Sequence, residues 1–142
     1  EKLAQNLFIS APTPNQIAAI AAFDCTNEFE AHCQRYAQNR EILMTGLPRE
    51  MIEGAAPCDG AFYLYADISH FSDNALEFAD SLLAREGVAV TPGIDFDPDN
   101  GHHYVRLSFA GRTRDMHEAC KRMHRFVDDL RGDAAVKLTN FK

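Results

Sequence analysis

The run "HYVRLSFA", residues 103–110, constrains this chain more than any other stretch. Its strict alternation is that of a β-strand, in which neighbouring side chains point to opposite faces. Val105, Leu107 and Phe109 share one face, and Tyr104, Arg106 and Ser108 share the other. The apolar face must be covered. The opposite face carries a cation in mid-strand, where burial is unfavourable unless the charge is paired. A sheet containing this strand is therefore covered on one side only, which is the habit of antiparallel sheets.

"GAFYLYADIS", residues 60–69, repeats the pattern, with Phe62, Leu64, Ala66 and Ile68 on one face and Tyr63, Tyr65 and Asp67 on the other. "VAVT", residues 88–91, reads as a further short strand. Between these strands lie helical patterns. Ser72 or Asp73 caps a helix running to Glu86, with Leu76, Ala79, Leu82 and Leu83 inward and Gly87 as its stop. Thr113 caps a second helix, whose stripe is Met116, Ala119, Cys120, Met123, Phe126, Val127 and Leu130 and which Gly132 ends. "DAAVKLTNFK" after it has no clear period and reads as a tail. From residue 49 the order is strand, helix, strand, strand, helix. The fold class expected is α+β: a small antiparallel or mixed sheet with helices packed on one face.

Two helical segments precede that layer. Asn27 with Glu30 has the capping-box spacing, and Phe29, Cys33, Tyr36, Leu43 and Leu47 then recur at helical intervals down to Gly46-Leu47-Pro48, with Arg40 interrupting the stripe. A helix of that length in so small a chain can bridge two domains. Further upstream, "QIAAIAAF" is strongly helix-forming, with Pro14 suited to a first turn. Gln5 to Phe23 contains no charged residue, so this segment expects a cover that the rest of the chain has little apolar surface to provide.

Composition excludes several functions. The formal net charge of −7 argues against a nucleic-acid partner or an anionic membrane surface, both of which need clustered Lys and Arg. No apolar run approaches the roughly 18 residues that span a bilayer. Cys25, Cys33, Cys58 and Cys120 form no CxxC and have no zinc-finger spacing, and they read as free buried thiols of a reducing cytosol. The N-terminus "EKLAQNLFIS" lacks Met and a signal-peptide pattern, so the sequence is expected to start partway along a gene product.

"DFDPDNGHHYVR" resembles a calcium loop only superficially. Counting from Asp95, Asp97 and Asp99 occupy ligand positions, but the turn glycine is replaced by Asn100 and the bidentate Glu by Arg106, a cation where the ion needs an anion. The aspartates are expected to form a solvated turn at Pro98-Asp99-Asn100-Gly101. His102 and His103 are adjacent and are expected to point to opposite faces. His117 and His124 stand two helical turns apart, about 10 Å, too far for one ion. No metal site is expected.

On its own pattern Arg106 admits two readings. It is a structural ion pair with an acidic side chain, or its planar fork awaits a ligand carboxylate, which it matches with two parallel hydrogen bonds.

"GAFYLYADIS", "FADSLLAREGVAVTPGIDF" and "HHYVRLSFAGRTRDMHEACKRM" resemble, in order and spacing, the C-terminal small domain of class I/II aminotransferases, pyridoxal-phosphate enzymes of fold type I. "KLAQNLFISAPTPNQIAAIAAF" is similar to the family segment that follows the cofactor lysine. The resemblance implies that Arg106 binds the substrate α-carboxylate, that Pro92-Gly93 and Phe96 shape the active-site mouth, and that Gly60, Phe62 and Tyr63 line the substrate side. It implies residues 1–25 as the end of the large cofactor domain, 26–48 as the interdomain helix, 49–131 as the small domain and 132–142 as the tail. It also implies amino-acid and 2-oxo-acid substrates, pyridoxal 5′-phosphate as cofactor, a missing N-terminal large domain, a cytoplasmic location and a homodimer with shared sites.

The sequence departs from the family in one respect. Its lysines, Lys2, Lys121, Lys137 and Lys142, all lack the context of the cofactor lysine, and no phosphate cradle or pyridine-pairing aspartate is present. No catalytic or cofactor-binding residue is therefore expected in these 142 residues, and the chain alone is expected to be inactive. The alternatives are a free-standing small-molecule-binding or regulatory α+β module, and a dimerisation domain. The uncharged N-terminal segment weighs against both.

Overall fold

A computed structural model describes residues 2–7 and 9–139, with backbone alone for residues 4, 5 and 133–139. The chain divides into two compact units, residues 1–34 and 35–142. The first contains α1 (Lys2–Leu7), α2 (Thr13–Ala22) and the opening turns of α3 (Thr26–Gly46). Pro14 lies in the first turn of α2, where a missing N–H costs nothing. Helix α2 buries no residue; Ile17, Ile20 and Phe23 are exposed, as are Leu3, Leu7 and Phe29. Helix α3 starts at Thr26, one residue before the expected cap, and its first backbone bond runs from Phe29 N–H to Cys25 O at 3.1 Å.

The second unit comprises the rest of α3, α4 (Arg49–Glu53), β1 (Tyr63–Asp67), α5 (Ala75–Glu86), β2 (Thr91–Pro92), β3 (Tyr104–Ser108) and α6 (Thr113–Thr139). The strands form one antiparallel sheet in the order β1-β3-β2. Leu64 faces Leu107 and Ala66 faces Val105 across the ladder, so the apolar alternations of both strands meet on one face. Leu64, Ala66, Ile68, Val105, Leu107 and Phe109 are buried there with Leu43, Phe78, Leu82, Met123 and Phe126 from the helices. Phe78 and Phe126 meet edge to face, with centroids 5.1 Å apart. Each such side chain contributes about 1.5–3 kcal/mol on burial.

The elements follow their local signals closely. Asn74 caps α5, one residue after the expected Asp73; its side chain accepts from the Leu76 and Glu77 N–H groups, while Ser72 Oγ accepts from Asn74 N–H. Gly87 ends the helix in the left-handed conformation at φ 66°. Leu76 and Leu83 are half exposed, and their expected inward places are taken by Ala75 and Phe78. Of "VAVT" only Thr91 enters the ladder, because among the described residues no strand lies across from Val88–Val90. Helix α6 does not stop at Gly132 but continues to Thr139. Gly132 has open space around it, and a lone glycine in a helix costs only about 1 kcal/mol against the alanines and lysine that follow. Arg122 and Arg125 join this helix to α5: Arg122 Nη1 donates to Glu86 O and Arg125 Nη2 to Glu86 Oε2, both at 2.8 Å.

Candidate functional site

Arg106 lies at the centre of β3, opposite Tyr65 on β1 and Thr91 on β2. It projects from the face that the helices leave open and is half buried. Among the described residues no carboxylate pairs with it. Its guanidinium carbon instead lies 4.1 Å from the centroid of the Tyr63 ring and 4.1 Å from that of Phe96. One ring comes from the β1 side of the strand and the other from the β2 side. Guanidinium is weakly hydrated and planar, so aromatic faces hold it well while its N–H edge stays available. Of the two readings open from the sequence, the ion pair with a side chain of this chain has no partner in the described structure.

The segment that supplies Phe96 is cinched by two glycines. A Cβ on Gly93 would lie 2.4 Å from Tyr65 Oη and 2.5 Å from Gly101 O; a Cβ on Gly101 would lie 2.4 Å from the Gly93 carbonyl. Only backbone fits on either side. Asp97 holds the turn between them: its Oδ1 accepts from Asp99 N–H at 3.0 Å and Asn100 N–H at 3.1 Å, and its carbonyl accepts from Gly101 N–H at 3.0 Å. The aspartate series thus forms a polar turn, as its failed calcium spacing predicts. Among the described residues no three His, Cys, Asp or Glu side chains converge on a common point.

Tyr63 is supported from behind. The Phe62 ring meets it at a tilt, centroids 4.5 Å apart, and the Tyr36 ring of α3 lies 6.0 Å from that of Phe62. Phe62 is partly exposed rather than part of the inward face, because Ala61 before it takes a positive φ of 55°. That conformation costs a non-glycine residue roughly 1–2 kcal/mol. Two adjacent residues of α3 fix one end of the strand pair, where the start of β1 meets the end of β3. Arg40 Nε donates to Cys58 O at 2.7 Å, just upstream of β1. Asn39, fully buried, donates through Nδ2 to Phe109 O at 2.9 Å and Gly111 O at 3.0 Å, just downstream of β3. Arg40 was legible as a break in the apolar stripe; Asn39 carried no sequence signal.

Comparison with known proteins gives the chain a family. The model of the family "Aminotransferase class I and II" matches residues 1–123. This chain belongs to the class I and II aminotransferases. It is 47% identical over 123 residues to the valine–pyruvate aminotransferase of Mycobacterium tuberculosis, covering 85% of this chain and 32% of that protein. It is 35% identical over 129 residues to the (5-formylfuran-3-yl)methyl phosphate transaminase of Methanocaldococcus jannaschii, covering 89% and 34%. The crystal structure of an aminotransferase from M. tuberculosis superposes with a TM-score of 0.80 at 45% identity, over 89% of this chain and 33% of that one. The chain spans about a third of the length of the curated relatives it matches.

Within this aminotransferase chain the other candidate residues take lesser places. Gly93 is enclosed by the Tyr65 hydroxyl and the Gly101 and Tyr104 carbonyls. Lys2 and Lys121 are both exposed, Lys121 beside Arg122 on α6; the side chains of Lys137 and Lys142 lie outside the described residues. Among the described side chains no lysine is buried. Cys58 and Cys120 are buried thiols as expected, whereas Cys33 is exposed. Burial pushes the Cys120 thiol above its usual range.

Among the described residues, two of the cavities that adjoin the sheet have linings without Arg106. One of about 350 Å³ lies on the helix side against Leu43, Leu107, Met116 and Arg122. The other, of about 410 Å³, is bordered by Tyr65, Asp67, Asp97, His103 and Tyr104. Tyr65 and Tyr104 stack there at 4.8 Å, nearly parallel. Burial, with the Asp97 charge second, raises the Tyr65 phenol above its usual range. No helix among the described residues is long and apolar enough to cross a membrane.

Proposed function

We propose that the open face of this sheet is the substrate-carboxylate side of an aminotransferase that moves an amino group between an amino acid and a 2-oxo acid. The observation that carries the reading is Arg106, a cation held by two rings with no acid among the described residues to neutralise it. Its fork accepts a carboxylate in two parallel hydrogen bonds, which orients the bond at Cα for proton transfer. Valine and pyruvate are the first substrates to try, from the name of the 47%-identical relative.

Pyridoxal phosphate, when bound, supplies the electron sink for such chemistry. Its lysine and phosphate site do not come from the described residues, so we assign them to a large domain outside this sequence. In the same reading residues 1–25 end that domain, 26–48 connect to it, 49–131 form the small domain and 132–142 the tail. Exposed Leu3, Leu7, Ile17, Ile20 and Phe23 support it, since an apolar segment of this kind needs a cover. A cytoplasmic homodimer is the form that the family resemblance implies.

The test is Arg106→Ala in the full-length protein. Losing one partner of a desolvated charge pair costs roughly 2–5 kcal/mol, so kcat/KM for the best amino-acid and pyruvate pair should fall by about two orders of magnitude or more. Near-wild-type turnover would remove Arg106 from the site.

A further inference from the structure

Phe96 is half exposed on a polar loop, where burial gives it little reason to be aromatic. The loop holding it is over-determined: it is closed by Gly93 against Gly101, pinned by the four hydrogen bonds at Asp97, whose own N–H donates to Gly93 O at 3.0 Å, and turned by a bond from Phe96 N–H to Gly93 O at 2.9 Å. What this construction delivers is one ring, 4.1 Å from the Arg106 guanidinium. The second ring, Tyr63, is a strand residue fixed by the ladder and backed by Phe62.

We propose that Phe96 is a positioning residue for Arg106, and that the two rings together make the site selective for a planar carboxylate over a tetrahedral anion. This rests on the reading of Arg106 as the carboxylate-binding group. A lone arginine on an open face samples many rotamers, and a ligand must select one of them. With its guanidinium carbon 4.1 Å from each of two ring centroids, the group is held before a ligand arrives, so the entropy of orientation is not charged to binding. In this proposal the rings cover the faces of the cation and leave its N–H edge. A carboxylate lies in that plane and takes two hydrogen bonds at once. A phosphonate or sulfonate puts oxygens above and below the plane, against the rings.

Four variants of the full-length protein test this: Phe96→Leu, Phe96→Met, Phe96→Tyr and Arg106→Ala. The probes are pyruvate in steady-state turnover, and propanoate and ethylphosphonate as inhibitors. Phe96→Leu removes the ring and keeps the bulk. It should raise KM for pyruvate and the inhibition constant of propanoate about fivefold to tenfold, leave kcat within about twofold, and shrink the preference for propanoate over ethylphosphonate. Phe96→Tyr retains a ring and should keep wild-type values, which a role in loop stability alone does not require. Since Leu at this place could disturb the loop, Phe96→Met is measured beside it with the same expectation. If Arg106→Ala weakens pyruvate and propanoate while both ring-deleting variants match wild type, the positioning role is wrong and the reading of Arg106 stands. If Arg106→Ala itself leaves both constants unchanged, the reading of Arg106 fails and the positioning role with it.

Discussion

The two faces of the sheet are made by the same strands with the same alternation, yet they are put to different uses. On the helix side Leu64, Ala66, Val105, Leu107 and Phe109 are all buried, at 5% exposure or less. On the open side Tyr63, Tyr65, Asp67, Tyr104 and Arg106 are only half buried, although that side is richer in aromatic carbon. Its rings pack against one another or a cation: Tyr65 stacks on Tyr104, Tyr63 meets the tilted ring of Phe62, and Tyr63 and Phe96 lie against Arg106. Apolar area drives folding on one face and orients polar groups on the other. Stability and function should therefore separate by face.

Substitutions can break that separation. Leu64→Ala on the helix side should cost about 2–5 kcal/mol in denaturant unfolding, since it opens a cavity in a packed core. A loss below about 1 kcal/mol would mean that the face is not the core described. Asn39→Ala comes next. It strips the donor from the Phe109 and Gly111 carbonyls and should cost about 1–3 kcal/mol in the same measurement. Replacement without cost would show that water substitutes for this buried amide.

The smallest effect belongs to the open face and to pH. The Tyr65 phenol titrates above its usual range because burial, Asp97 and Tyr104 disfavour the anion, and its hydroxyl donates to Gly93 O at 3.4 Å. The unfolded chain loses this proton first as pH rises. The stability linked to it is complete below about pH 10, the ordinary phenol value, and declines through the alkaline range above. Thermal unfolding from pH 8 to 11 should show a shallower alkaline decline for Tyr65→Phe than for wild type. Parallel curves would locate the alkaline loss at other groups.

Much of this could be read from sequence, because alternation and helical period are enforced by burial. The strand faces, the inward stripe of α6 and the stop at Gly87 follow from such patterns. Other features depend on contacts between residues remote in sequence. The contact of Gly93 with Gly101 is set by two backbones meeting, and nothing in "PGIDFDPDNG" announces which glycines touch. Asn39 reaches Phe109, 70 residues away, with no local pattern to mark it. Val88–Val90 had the propensity for a strand but not the partner, and pairing rather than propensity decides a strand. Arg106 was visible as a misplaced cation; that rings and not an acid would hold it was not.

The comparison of faces rests on Arg106 meeting its partner from outside the chain. The most direct measurement is a crystal structure of the full-length protein soaked with propanoate. The account predicts the carboxylate in the plane of the guanidinium, with two N–H···O contacts of about 2.7–2.9 Å and the Tyr63 and Phe96 rings still in place. Propanoate bound elsewhere, with Arg106 turned onto an aspartate or glutamate of the same protein, would contradict it.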